Sequence, residues 1–187
     1  LRAGGADEET AGTALTIAKD IHEVKKEYFL IMRGISEALE RASTIPGLEL
    51  EELFSILTHS VERTAQACGK EVVCTTSLSD NFYTTQHHYL MSIFRNLLNN
   101  ALEAAGTGHT AHLTLTQQRE GDDFLFTVEE DCGGIPPQRM AQIFTPGFSS
   151  KINYTTGEIN RGLGLTIVKD LVEEELHGTI QVSSQNG

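Results

Sequence analysis

Apolar residues recur at Ala14, Ile17, Ile21, Val24, Tyr28, Ile31, Ile35 and Ala38, in alternating steps of three and four that stop just before Ser43-Thr-Ile-Pro46-Gly47. Such a period is a heptad seam, and it predicts one long helix over about residues 9 to 43. A second apolar line through Leu15, Ala18, Phe29, Met32 and Leu39 widens the buried face. One helix cannot bury its own seam, so the segment is expected to pair with a second copy of itself as a homodimer. Proline cannot continue a helical hydrogen-bond ladder and glycine suits a helix exit. The boundary is therefore drawn there, with a helical segment at 1–46 and a second unit at 47–187.

Beyond the boundary the period changes repeatedly. Leu48-Glu-Leu50 reads as a short strand leading into a helix over about 51 to 69, with Leu53, Ile56, Leu57, Val61 and Ala65 on one face and Gly69 as its stop. Val72 to Leu78 reads as a strand. A second helix follows over about 86 to 105, with Leu90, Ile93, Leu97, Ala101 and Ala104 inward and Gly106-Thr-Gly108 at its end. Alternating segments Ala111–Gln117 and Phe124–Glu130, joined at Glu120-Gly-Asp-Asp123, carry a hairpin signature. A last helix over about 164 to 176 precedes a strand at Thr179–Ser183. The expected class is α+β: an N-terminal dimerisation helix followed by a two-layer unit with largely antiparallel strands.

Composition narrows the partners. The net charge is −12, spread along the chain without basic patches, which excludes nucleic acid as an expected partner. Cys68, Cys74 and Cys132 lack paired-ligand spacing, so a reducing, cytoplasmic setting fits better than a disulfide framework or a zinc site. No apolar run approaches the roughly 20 residues a bilayer requires, and Leu1-Arg-Ala-Gly-Gly is not a signal peptide, so no membrane contact is expected within this chain. His87-His88 and His109-x-x-His112 read as surface residues, since neither brings a complete ligand set.

Four short segments follow one another in the second unit: Asn96-Leu-Leu-Asn-Asn100, Glu130-Asp131-Cys132-Gly133-Gly134, Phe144-Thr-Pro-Gly-Phe148-Ser-Ser-Lys151, and Arg161-Gly162-Leu163-Gly164-Leu165. Ser92, Asn96, Asn100 and Glu103 form one polar stripe on an otherwise apolar helix, and their oxygens suit a hard cation. The segment 145–161, bracketed by Gly147, Gly157 and Gly162, has no apolar period and reads as a lid. Lys151 and Arg161 bring it positive charge. The glycines before the last helix place N–H groups where an anion is favoured. Together these describe a nucleotide pocket.

In the order and spacing of these boxes, residues from about 48 to 187 resemble the catalytic ATP-binding domain of two-component sensor histidine kinases. Asp20-Ile-His22-Glu23-Val-Lys-Lys resembles the phosphoacceptor segment of the family's dimerisation domain. The resemblance implies an α/β-sandwich that holds ATP with Mg²⁺ on Asn100, His22 as the phosphorylated residue, and Glu23 as the group orienting its ring. It implies transfer onward to the aspartate of a response-regulator receiver domain. Asn96 stands where related hydrolytic ATPases carry a glutamate base, and an amide cannot deprotonate water. Family domains continue into one more strand after the position of Asn186-Gly187, so the unit is expected to lack its last strand.

The base-reading turn leaves two registers open. Aligning Gly134-Ile135-Pro136 without a gap puts Glu130 at the family's adenine-reading aspartate and Cys132 at its first glycine. The other register uses Asp131 and Gly133 and shortens the turn. A Cβ at Cys132 is expected to restrict a positive φ and weaken binding. A nucleotide-binding pseudokinase or interaction module is the alternative this departure motivates.

Overall fold

The computed structural model describes residues 46–145, 148 and 164–185, with Thr13, Thr16 and Asp20. The chain divides into two units, Leu1–Thr44 and Ile45–Gly187. In the first, Thr13, Thr16 and Asp20 are helical and exposed. The rest of the helix expected over 9–43, including His22 and Glu23, lies outside the described residues.

In the second unit, strand β1 (Leu48–Glu49) leads into helix α1 (Leu50–Ala67). Leu50, Leu53, Phe54, Leu57, Val61 and Ala65 are its buried face, and Glu51 and Glu52 occupy its positive first turn, where carboxylates are favoured. Ile56, expected inward, is 45% exposed, because the stripe runs through Phe54 and leaves position 56 on the opposite flank. No side chain caps this helix locally. Its orphan donors are met from far along the chain: Glu51 N–H donates to Asn81 Oδ1 at 3.0 Å and Leu50 N–H to the Phe82 carbonyl at 3.0 Å. Gly69, at φ +67°, turns the chain out of the helix.

Strand β2 (Glu71–Leu78), strand β3 (Tyr83–Thr84), helix α2 (His87–Ala104), strand β4 (Thr110–Glu120) and strand β5 (Asp123–Glu130) follow. β1 and β3 form a small antiparallel ladder. β2 runs parallel to β4, with α2 in the crossover, and β4 pairs antiparallel with β5 from Leu113↔Glu130 to Glu120↔Asp123. Period two puts Ala111, Leu113, Leu115 and Gln117 on the buried face of β4. The helices cover that face. Phe54, Phe94 and Phe126 meet edge-on at its centre, with Phe54–Phe94 ring centroids 5.2 Å apart and Phe94–Phe126 5.5 Å. Truncating one such ring costs about 3–5 kcal/mol, so this cluster anchors the layer.

The buried face of α2 comprises Leu90, Ile93, Phe94, Leu98, Ala101 and Leu102. Two expected inward residues are displaced: Leu97 is half-buried and Ala104 exposed, because α2 meets α1 and the sheet through the 94–98–102 line. Lys70 Nζ donates to the Leu102 carbonyl at 2.7 Å, a cation placed at the negative end of that helix.

A short helix α3 (Pro137–Met140) and helix α4 (Gly164–Asp170) come next. The expected helix to 176 is shorter as an α-helix, because Leu171–Glu175 winds as a π-turn. Leu176 N–H reaches back to the Leu171 carbonyl at 3.0 Å, and His177 takes φ 55°. The strand expected at Thr179–Ser183 is absent: residues 177–184 join no described ladder, Gly178 N–H donates back to the Val172 carbonyl at 2.8 Å, and the Ser184 hydroxyl accepts from Ile135 N–H at 2.8 Å. Val182 is 40% exposed, so the segment lacks the buried face that specifies strand register.

Candidate nucleotide site

α2 and α4 pack against each other, and their contact brings two of the sequence boxes together. Asn96 Nδ2 donates to the Ser92 carbonyl one turn back at 2.8 Å. This leaves Oδ1 directed at Gly164, where a Cβ would lie 3.1 Å from it and 3.8 Å from both amide atoms of Asn100. Any larger residue at 164 would enter the space those amides face. Ser92, Asn96 and Asn100 are half-buried and Glu103 is exposed at the end of the stripe. Gly164 and Leu165 open α4 as half-buried residues.

Thr166 is a positional residue that periodicity did not single out. It is buried, and its Oγ1 donates to the Phe144 carbonyl at 3.1 Å. Lys169 Nζ lies 5.9 Å from the centre of the Phe144 ring. The start of the Phe144 box is thereby fixed to the start of the glycine box. A hydroxyl among Leu165, Ile167 and Val168, on the face of a helix that must be buried, is the signal that could have found it. Lys151, Arg161, Gly162 and Leu163, with most of the 145–161 segment, lie outside the described residues.

At the other end of the unit, Glu130 pairs across the ladder with Leu113, whose side chain is fully buried. Directly opposed residues share a face, so Glu130 lies on the side of the sheet that the helices cover. Phe126 and Val128 share that face and pack against the core. Asp131 falls on the other side. Its Oδ1 accepts from His112 N–H at 2.7 Å and its Oδ2 from His112 Nδ1 at 2.8 Å. Those bonds, the backbone one first, hold the Asp131 carboxyl below its ordinary range. An ionised carboxylate only accepts, which places the ring proton of His112 on Nδ1. His112 is thus an exposed side chain with a partner, while His87 and His88 are half-buried rather than on the surface. The side chain at 87 meets that at 88 edge-on, and both are sheltered where α2 begins.

The turn after β5 corrects one expectation. Cys132 is not in the left-handed region; the positive φ falls on Gly133, at +149°. A Cβ at 132 therefore meets no backbone objection, whereas one at 133 would. Cys132 is half-buried against the core, and its N–H donates to Glu130 Oε2. Burial first, and the Glu130 carboxylate second, push its thiol up to about 11, so it stays protonated and inert. Gly134 is exposed at the end of the turn. Among the described residues no group of His, Cys, Asp and Glu is arranged to hold a metal, and no helix is long and apolar enough to cross a membrane.

The chain is similar to known proteins in sequence and in fold. A family model for histidine kinase-, DNA gyrase B-, and HSP90-like ATPases matches residues 85–187. The sensor histidine kinase GlnK of Bacillus subtilis is 31% identical over 97% of this chain and 43% of its own length. The sensor histidine kinase ZraS of Escherichia coli is 31% identical over 87% of this chain and 34% of its own length. The chain thus spans less than half the length of these relatives. Among solved structures, the catalytic domain of histidine kinase ThkA aligns at TM-score 0.54 and 22% identity, over 70% of this chain and 82% of its own. Histidine kinase AdeS of Acinetobacter baumannii aligns at TM-score 0.58 and 18% identity, over 88% and 74%. At these identities the structural likeness establishes the fold.

Proposed function

The chain belongs to the histidine kinase-, DNA gyrase B- and HSP90-like ATPase family, and we propose that it is the core of a sensor histidine kinase that phosphorylates its own His22. The phosphate would then pass to the receiver-domain aspartate of a response regulator. The observation that carries this reading is the meeting of the Asn96 and Asn100 amides over Gly164. Two amides set over a glycine leave room for a hard cation, and amide oxygen is the donor type Mg²⁺ accepts. Asn100, with Asn96 beside it, would hold that ion, which when bound neutralises charge on the triphosphate of ATP.

The rest of the site follows from what each side chain can do. Glu130, on the helix-covered face, accepts from the adenine amino group. Lys151, Arg161 and the N–H groups of Gly162, Leu163, Gly164 and Leu165 attract the phosphates. Gly133 and Gly134 let the turn approach the base. Glu23 accepts from one nitrogen of the His22 ring and leaves the other as the nucleophile. Because Asn96 cannot serve as a base toward water, transfer to a protein group is favoured over hydrolysis. Two such chains would associate through the heptad helix.

A nucleotide-binding module without transfer is the second reading, supported by the Cys132 N–H that already occupies one oxygen of Glu130. Incubation with γ-labelled ATP and Mg²⁺ separates the two. Acid-labile, base-stable label that vanishes in His22→Gln supports the kinase. Label that persists in that variant would show another acceptor, and bound ATP with no label in the parent would favour the binding module.

A further inference from the structure

β5 leaves its ladder at Glu130, and the next residue replaces the missing main-chain pairing with its side chain. The Asp131 carboxylate takes the His112 N–H on one oxygen and the His112 ring on the other, at 2.7 and 2.8 Å. A carboxylate gripped twice by one residue has a fixed direction. The main chain at 131 is therefore pinned to β4 on the outer side of the sheet. Glu130, one residue earlier, is held on the inner side opposite Leu113. Immediately afterwards the chain doubles back so that Cys132 N–H meets Glu130, and Gly133 completes the turn at a φ that favours glycine.

We propose that His112 and Asp131 are a positioning pair for adenine selection: they lock the end of β5 so that Glu130, and not Asp131, faces the nucleotide base. The inference rests on the reading that the pocket takes ATP with Glu130 at the base. Neither member touches the nucleotide. Both side chains are more than half exposed, at 61% for His112 and 54% for Asp131, so their removal leaves the core intact. Selection follows from base chemistry: adenine offers an amino group where guanine offers a carbonyl oxygen, and a fixed carboxylate accepts from the first and repels the second. Loosening the turn would let Glu130 swing away and reduce that discrimination. A general weakening of the unit would instead lower affinity for both nucleotides alike.

The test is calorimetric titration of the whole chain with Mg²⁺–ATP and Mg²⁺–GTP, with the melting temperature followed in parallel. Asp131→Ala, which loses both bonds, is expected to cut the ATP-over-GTP preference by about tenfold. His112→Ala keeps its main-chain N–H and loses only the ring bond, so it should cut the preference by roughly threefold, in the same direction. The double variant should match Asp131→Ala, because both changes break one contact. Asp131→Asn, which retains an oxygen for the His112 N–H, should restore most of the preference. If Asp131 read the base itself, His112→Ala would free it and tighten ATP binding while Asp131→Ala weakened it, and those opposite signs would overturn the pair. Equal losses for both nucleotides would overturn it too. A parent that binds ATP with a preference that Glu130→Gln abolishes and Asp131→Ala leaves unchanged would sink the pair but keep the pocket. A parent that binds neither nucleotide would remove both.

Discussion

The two ends of the site are built in opposite ways. At the α2–α4 contact, polar groups sit inside helix packing: Asn96 is tied to its own helix by the Ser92 carbonyl, and Gly164 closes on it so that a Cβ there would lie 3.1 Å from Asn96 Oδ1. At the end of β5, Glu130 and Asp131 are exposed, and the Asp131 carboxylate is held by the main-chain N–H and the ring of His112 on the neighbouring strand. The first end resists change because any intrusion must move two packed helices. The second depends on a contact that water and pH can reach. On the proposed reading, the packed end would fix a metal ion and the exposed end would read and release a base.

The comparison is most exposed to substitution at the packed end. Asn100→Ala removes the oxygen proposed to hold Mg²⁺, which water would replace without the same fixed direction, and it is expected to weaken Mg²⁺–ATP binding by about 100-fold, the upper range for losing a bond to a charged group. Titration with and without Mg²⁺ checks it; an unchanged affinity would place the pocket elsewhere. Gly164→Val drives a branched side chain toward Asn96 Oδ1, which a Cβ would already approach to 3.1 Å. About tenfold weaker binding is expected, with a lower melting temperature, since overpacking costs about 1–3 kcal/mol. A fully tolerated valine would show that α4 moves freely on α2 and that the packed end is not rigid.

At the exposed end the effects are smaller. The Asp131 carboxyl is depressed by its bonds to His112, so its folded pKa lies below the unfolded value. Its contribution to stability is then fully present above the unfolded carboxylate range, near pH 3.9, and is lost as pH falls through the lower folded value. Following the His112 ring resonances by NMR during acid titration should show the pair surviving to a lower pH than a free carboxylate would. Loss of the pair well above that range would mean that it does not hold the turn. Smallest of all is Cys132→Gly. With the positive φ at Gly133, an added glycine relieves nothing, and nucleotide affinity should stay within about twofold of the parent, while stability falls by about 0.5–1 kcal/mol from added chain freedom. Tighter binding would return strain to position 132 and blur the contrast between the two ends.

Much of this was legible in the linear chain because it rests on local periodicity. Three-and-four spacing marked α1 and α2, and alternation with Gly121 marked the β4–β5 hairpin. The alternation Phe124, Phe126, Val128, Glu130 sets those side chains on one face, and Phe126 and Val128 pack against the core there. Periodicity failed where a face is shared by several neighbours. It chose Ile56 and Ala104 for the core over Phe54 and Leu102, because it counts turns and cannot weigh which flank meets the sheet. It also proposed a strand at 179–183, where a favourable composition finds no described partner.

What the amino-acid order determined by itself is α1, α2, the β4–β5 hairpin and the sequence of boxes, since helix and strand periods and turn residues act within a few positions of one another. Tertiary structure alone decided which polar groups are engaged and where the helices are capped. Asn81 caps α1 from 30 residues away, Lys70 closes the end of α2, and His112 claims Asp131 across 19. Two adjacent carboxylates are indistinguishable in a sequence. They part company once the strand's alternation turns one toward the helices and the other toward a histidine on the next strand, because a hydrogen bond depends on distance and direction in space and not on separation along the chain.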